Sequence, residues 1–176
     1  MFPTARDLKT QRRPEYRISG FGLAANLGIP RKEAEAYIRG YFERYAGVKR
    51  FIDSVVAQTR ETGIAKTLLG RERPIPDMNS RNPNARGFAE RTAMNSPIQG
   101  TAADLIKLAM VRIDHKLGQF QIKMLLQVHD ELVLEAPPEE LDQVKSLVRA
   151  EMESVMALKV SLVVDIGTGD NWRDAK

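Results

Sequence analysis

Residues 125–137 read Leu-Leu-Gln-Val-His-Asp-Glu-Leu-Val-Leu-Glu-Ala-Pro, and no other stretch of the 176-residue chain limits its fold so tightly. Two apolar runs flank the polar tripeptide His129-Asp130-Glu131, which reads as strand, turn, strand. The chain therefore contains an antiparallel hairpin with two adjacent carboxylates at its tip. Neighbouring residues on a strand point to opposite faces, so the turn must twist if both carboxylates are to face one way. Hard oxygen donors beside a histidine make a metal-binding edge. A solvated acidic turn is the alternative, because charged side chains in turns are mostly just exposed.

Helical periodicity dominates elsewhere. Pro30 can open a helix, since its missing N–H is not needed there, and Ala34, Ile38, Tyr41, Phe42 and Tyr45 follow at helical spacing. Val48, Phe51, Ile52, Val55 and Thr59 mark a second helix that Gly63 stops. The aromatic residues Tyr37, Tyr41, Phe42 and Tyr45 could stack on bases. Their spacing of three and four predicts core packing instead. Residues 64–69 and 73–75 form a small hairpin about Gly70, with Arg71 and Arg73 as candidate phosphate contacts. Residues 78–85 are polar and Asn-rich, and predict a flexible loop.

A long helix is predicted over 84–116, with Pro97 as a potential interruption. Ala102, Leu105, Ile106, Ala109, Met110 and Ile113 define its buried side, and Gly118 its end. Arg91, Asn95 and Gln99 are four residues apart and share one polar face. Such side chains donate to minor-groove acceptors and to sugar-phosphate oxygens. Beyond the hairpin, Pro138 starts an amphipathic helix with the stripe Leu141, Val144, Leu147, Val148, Met152 and Val155. Residues 160–166 are nearly all apolar and predict a central strand, followed by a turn in which Trp172 caps the core. Helices on a small antiparallel sheet define an α+β fold.

Charge is uneven along the chain. Residues 1–100 carry 18 Lys and Arg against 10 Asp and Glu, whereas residues 101–176 carry 9 against 13. A basic half suits a polyanion backbone, although basic helices are often merely soluble. An acidic half suits a divalent cation at its edge. There is no cysteine, hence no disulfide framework or thiolate metal site. No apolar run approaches the ~20 residues of a membrane span, and a cytoplasmic location is the default expectation.

The hairpin sequence, taken with the block from Glu90 to Asp104 that reads Glu-Arg-Thr-Ala-Met-Asn-Ser-Pro-Ile-Gln-Gly-Thr-Ala-Ala-Asp, resembles the C-terminal palm and fingers part of the family A DNA polymerases, of the bacterial DNA polymerase I type. The likeness runs from about Ser19 to Trp172. It takes in Phe21-Gly22-Leu23-Ala24, Gly70-Arg71-Glu72-Arg73 with Pro76-Asp77, and Asp165-Ile166-Gly167. Two long irregular motifs in the right order are far more specific than a short glycine-rich match. The resemblance implies a partial polymerase domain over 19–176, preceded by a divergent segment over 1–18.

It further implies DNA-directed DNA synthesis in replication or repair, on primer-template DNA with deoxynucleoside triphosphates and two Mg2+ ions. Asp130 would be a metal ligand, Glu131 a weaker or outer one, and His129 would position the primer terminus. Arg91, Asn95, Gln99, Arg71 and Arg73 would contact DNA. The family's second metal-binding aspartate lies in an Asp-Tyr-Ser-type strand without a counterpart here. Its nucleotide-binding helix should precede Ser19, where Tyr16 matches a nucleotide contact but Arg17 replaces a glycine and Pro14 opposes a helix. The chain by itself is thus expected not to catalyse. Three readings stand: a polymerase completed by a second chain that supplies the missing palm, a non-catalytic DNA-binding fragment, and a gene remnant.

Overall fold

A computed structural model describes residues 19–175. The expectations for Tyr16, Pro14 and the rest of residues 1–18 lie outside them. Contacts divide the chain into two units, Met1–Ile98 and Gln99–Lys176. The division falls inside one helix, at the residue after Pro97.

In the first unit, α1 (Gly20–Leu27) begins at Ser19, whose Oγ accepts a hydrogen bond from the Gly22 N–H, and ends at Gly28 with a left-handed φ of 67°. Ser at the N-cap and Gly at the C-cap are the residues that satisfy orphan backbone groups at helix ends. This helix was not read from the sequence. α1 packs on α2 (Arg31–Arg44), and a Cβ added at Gly20 would stand 2.5 Å from Glu35 Cγ, so a larger residue there would displace the Glu35 side chain. α3 (Ala46–Thr62) ends at Gly63, φ 72°, as its sequence predicts.

The small hairpin pairs β1 (Ile64–Lys66) with β2 (Glu72–Pro74) in antiparallel register. Thr67 N–H donates to Arg71 O at 3.0 Å, and Gly70 takes φ 83° in the turn. Lys66 and Glu72 are direct cross-strand partners and form an ion pair at 2.8 Å. A core of Ala65, Ile75, Met78, Ala89 and Ala93, with Val56 against it, joins the hairpin to its flanking helices.

Residues 78–85 are not the flexible loop expected. Pro76–Asn79 make one turn of 3-10 helix, and Met78 is 1% exposed. Asn79 Nδ2 donates to Arg60 O at 3.0 Å. The long helix α4 then runs from Pro83 to Leu117, 35 residues. Asn82 Oδ1 accepts from Asn84 N–H at 2.9 Å, a cap ahead of a proline at the first helical position. Pro97 stays inside the helix. It cannot supply the N–H that Ala93 O would otherwise receive, yet the helix continues.

In the second unit, β3 (Lys123–Val128) and β4 (Glu131–Glu135) form the expected hairpin, followed by a 3-10 turn at Pro138–Glu140 and α5 (Leu141–Glu153). Ile113 and Leu117 of α4 meet Val144 and Val148 of α5, and Met124, Leu132 and Leu134 of the hairpin pack against them. A register shift between Met124 and Leu126 breaks the alternation of faces. Leu125 and Leu126 are consequently 50% and 52% exposed.

Three further expectations require correction. Tyr37, Tyr41 and Tyr45 are exposed rather than packed in a core, and Ala34 is the buried residue of α2. Residues 160–166 are not a strand in the described structure. Ser161, Val163 and Asp165 are exposed, and Leu162, Val164 and Ile166 half-buried, so the period of two survives without a ladder. The Val164 N–H instead donates to Glu153 Oε1 at 3.0 Å. Trp172 does not close the core and remains 41% exposed.

Candidate active-site hairpin and nucleic-acid face

Val128 pairs with Glu131, so His129 and Asp130 are the two loop residues of the hairpin. Two-residue loops match strand twist only when the first central residue takes positive φ. His129 does so, with φ 54°, and is the one non-glycine with positive φ among the described residues. Asp130 is thereby carried to the exposed tip, and half-buried Glu131 begins β4. The His129 carbonyl accepts a hydrogen bond of 2.6 Å from Gln127 Nε2. No reading of the sequence singled out Gln127; its signal is an amide side chain two residues before a strained turn.

The pair Asp130–Glu131 offers hard oxygen donors of the type Mg2+ takes, and Mg2+ commonly uses one or two protein carboxylates while keeping several waters. The donor set therefore fits the ion. Among the described residues no group of three or more His, Cys, Asp or Glu is gathered as a metal site.

In the first unit, Arg73 Nη1 donates to Ser96 Oγ at 3.4 Å, and Ser96 Oγ donates to Thr92 O at 2.6 Å. This links exposed Arg73 on β2 to the turn of α4 that also holds Asn95. Arg91 is exposed and Asn95 half-buried on that part of the helix. The neighbouring carboxylate of Glu90 is buried and ion-paired with Arg60 of α3. Arg71 is exposed at the end of the β1–β2 turn, where its N–H donates to Thr67 Oγ1 at 3.1 Å. Gln99 opens the second unit and is exposed. Cationic and amide side chains of this kind suit phosphate and base-edge acceptors. Glu90, Arg60 and Ser96 were missed in the sequence because long-range ion pairs leave no local pattern.

The model of the DNA polymerase family A matches residues 15–174. The chain belongs to the family A DNA polymerases, and its α+β fold is that of part of a polymerase domain. Among its relatives, DNA polymerase I of Streptococcus pneumoniae is 56% identical over 163 residues, which cover 92% of this chain and 19% of that protein. DNA polymerase I of Lactococcus lactis is 54% identical over the same length, and that of Bacillus subtilis 52%, with 18% of its length covered. The chain thus spans about a fifth of the length of these relatives. A solved structure, the POL domain of Pol1 from M. smegmatis in complex with DNA primer-template and dNTP, superposes with TM-score 0.88 at 41% identity, over 92% of this chain and 29% of that one. No helix among the described residues is long and apolar enough to cross a membrane.

Proposed function

We propose that this chain acts in DNA-templated DNA synthesis, as a nucleotidyltransferase that extends a primer with deoxynucleoside triphosphates in replication or repair. The observation behind this reading is the two-residue turn at His129-Asp130, which presents Asp130 and Glu131 together at the end of a hairpin in a family A polymerase. Residues 19–176 form a partial polymerase domain of fingers and C-terminal palm, and residues 1–18 a divergent segment. Asp130 and Glu131 hold Mg2+, with Asp130 the main ligand. When bound, magnesium supplies positive charge that activates the attacking hydroxyl and stabilises the leaving group. His129 orients the primer terminus, and Tyr16 contacts the incoming nucleotide. Arg71, Arg73, Arg91, Asn95 and Gln99 hold the primer-template, largely through its phosphates. A second chain supplies the other metal-binding aspartate, and the reaction is cytoplasmic.

A second reading is a DNA-binding fragment without catalysis, supported by the exposed cations Arg71, Arg73 and Arg91. Primer extension with Mg2+ and all four nucleotides separates the two. The chain is assayed alone and with the rest of a bacterial polymerase domain added in trans. The proposal expects no extension alone, and extension in the mixture that disappears with Asp130→Ala. Primer-template binding without extension in the mixture, indifferent to Asp130→Ala but weakened by Arg91→Ala, would establish the second reading.

A further inference from the structure

We infer that Gln127 is a positioning residue for the metal-binding turn, holding the peptide between His129 and Asp130 in the orientation that aims the Asp130 carboxylate. The inference rests on the reading of Asp130 as a ligand. Three features of the hairpin lead to it.

The loop has only two residues, because Val128 and Glu131 still pair. Any rotation of its central peptide therefore turns Asp130 directly, with no spare residues to absorb the change. His129 holds φ 54°, a backbone region that an L-residue with a Cβ resists. Glycine is the usual occupant there, so the turn needs outside support to persist with histidine.

Gln127 supplies that support. Its exposed side chain reaches two residues forward and donates from Nε2 to the His129 carbonyl at 2.6 Å. That carbonyl belongs to the peptide plane whose N–H is Asp130's own. Fixing the oxygen fixes the plane, and with it the direction in which Asp130 leaves the backbone. Outer partners of this kind orient ligands without touching the ion. The bulge between Met124 and Leu126 lies on the same strand, so Gln127, Val128 and the turn share the registration that follows it.

The test uses the full chain with Gln127→Met, which keeps the length of the side chain and removes the donor. The first readout is amide exchange at Asp130 and Glu131 without metal. The second is affinity for Mn2+, a paramagnetic stand-in for Mg2+, measured by line broadening. Gln127→Met should speed exchange at both amides and weaken Mn2+ binding about tenfold. Adding His129→Gly, which removes the steric resistance to positive φ, should recover most of the lost affinity.

Unchanged exchange and unchanged affinity in Gln127→Met, while Asp130→Ala still abolishes binding, would overturn the inference and leave the metal site standing. Faster exchange with undiminished Mn2+ affinity would also overturn it, because Gln127 would then hold the turn without aiming Asp130. Mn2+ binding that survives Asp130→Ala would sink the metal-site reading itself. The exchange readout still decides in that case whether Gln127 holds the turn.

Discussion

Replacing Ile113 by alanine should destabilise the second unit more than any surface change near the hairpin. Ile113 is 0% exposed and meets Leu117, Val144 and Val148, with hairpin residues Met124, Leu132 and Leu134 packed around that cluster. The substitution removes three carbons, about 2.4 kcal/mol of transfer free energy at ~0.8 kcal/mol per carbon. The cavity left between two helices and a hairpin cannot fully collapse, which raises the loss to roughly 3–4 kcal/mol, inside the usual range for such truncations. At about 2–4 °C per kcal/mol for a chain of this size, the midpoint should fall by roughly 6–16 °C. Ile113→Val removes one carbon and should cost about 0.5–1.5 kcal/mol. Urea unfolding followed by fluorescence of Trp172, the chain's one tryptophan, reads both. A loss under about 1 kcal/mol for Ile113→Ala at unchanged m-value would refute the claim that this cluster is the core on which the hairpin stands.

Ser19→Ala removes the oxygen that accepts the Gly22 N–H at 3.0 Å, and should cost about 1 kcal/mol, seen as faster amide exchange at Gly22. Gly167→Ala would place a Cβ 1.8 Å from Ala175 O, so the C-terminal turn must shift. Loss of protection at the Ala175 N–H, which donates to Asn171 O at 3.1 Å, is the expected sign. Val163→Thr should change stability by less than about 0.5 kcal/mol, since Val163 is 81% exposed; a cost above 1 kcal/mol would indicate that residues 160–166 are packed in a sheet after all.

Elements that bury a stripe of their own were legible in the sequence. The intervals in α5 and the second half of α4 match residues found buried, as with Ala109, Ile113, Val144 and Val148, although Ala102 is exposed; in α3 only Thr59 is buried and Phe51 is exposed, while Gly63 ends the helix where expected. The hairpin tip was legible too, because apolar runs around a polar tripeptide leave few alternatives. What failed depends on partners distant in sequence. Residues 160–166 have strand composition, but a strand exists only by pairing, and the Val164 N–H finds the Glu153 carboxylate instead. Tyr41 and Tyr45 have core spacing, yet they remain exposed and Ala34 is the residue of α2 that is buried. The exposure of Leu126 follows from a bulge that no composition reveals. At the candidate site, Asp130 and Glu131 were visible, whereas the φ of His129 and the Gln127 contact that accompanies it required coordinates.

The most direct test of the metal-binding hairpin is a titration of isotope-labelled chain with Mn2+, read as broadening of individual amide signals. Broadening should concentrate at His129, Asp130, Glu131 and Leu132, reverse on addition of excess Mg2+, and vanish in Asp130→Ala. Broadening centred elsewhere, or unchanged by Asp130→Ala, would contradict it.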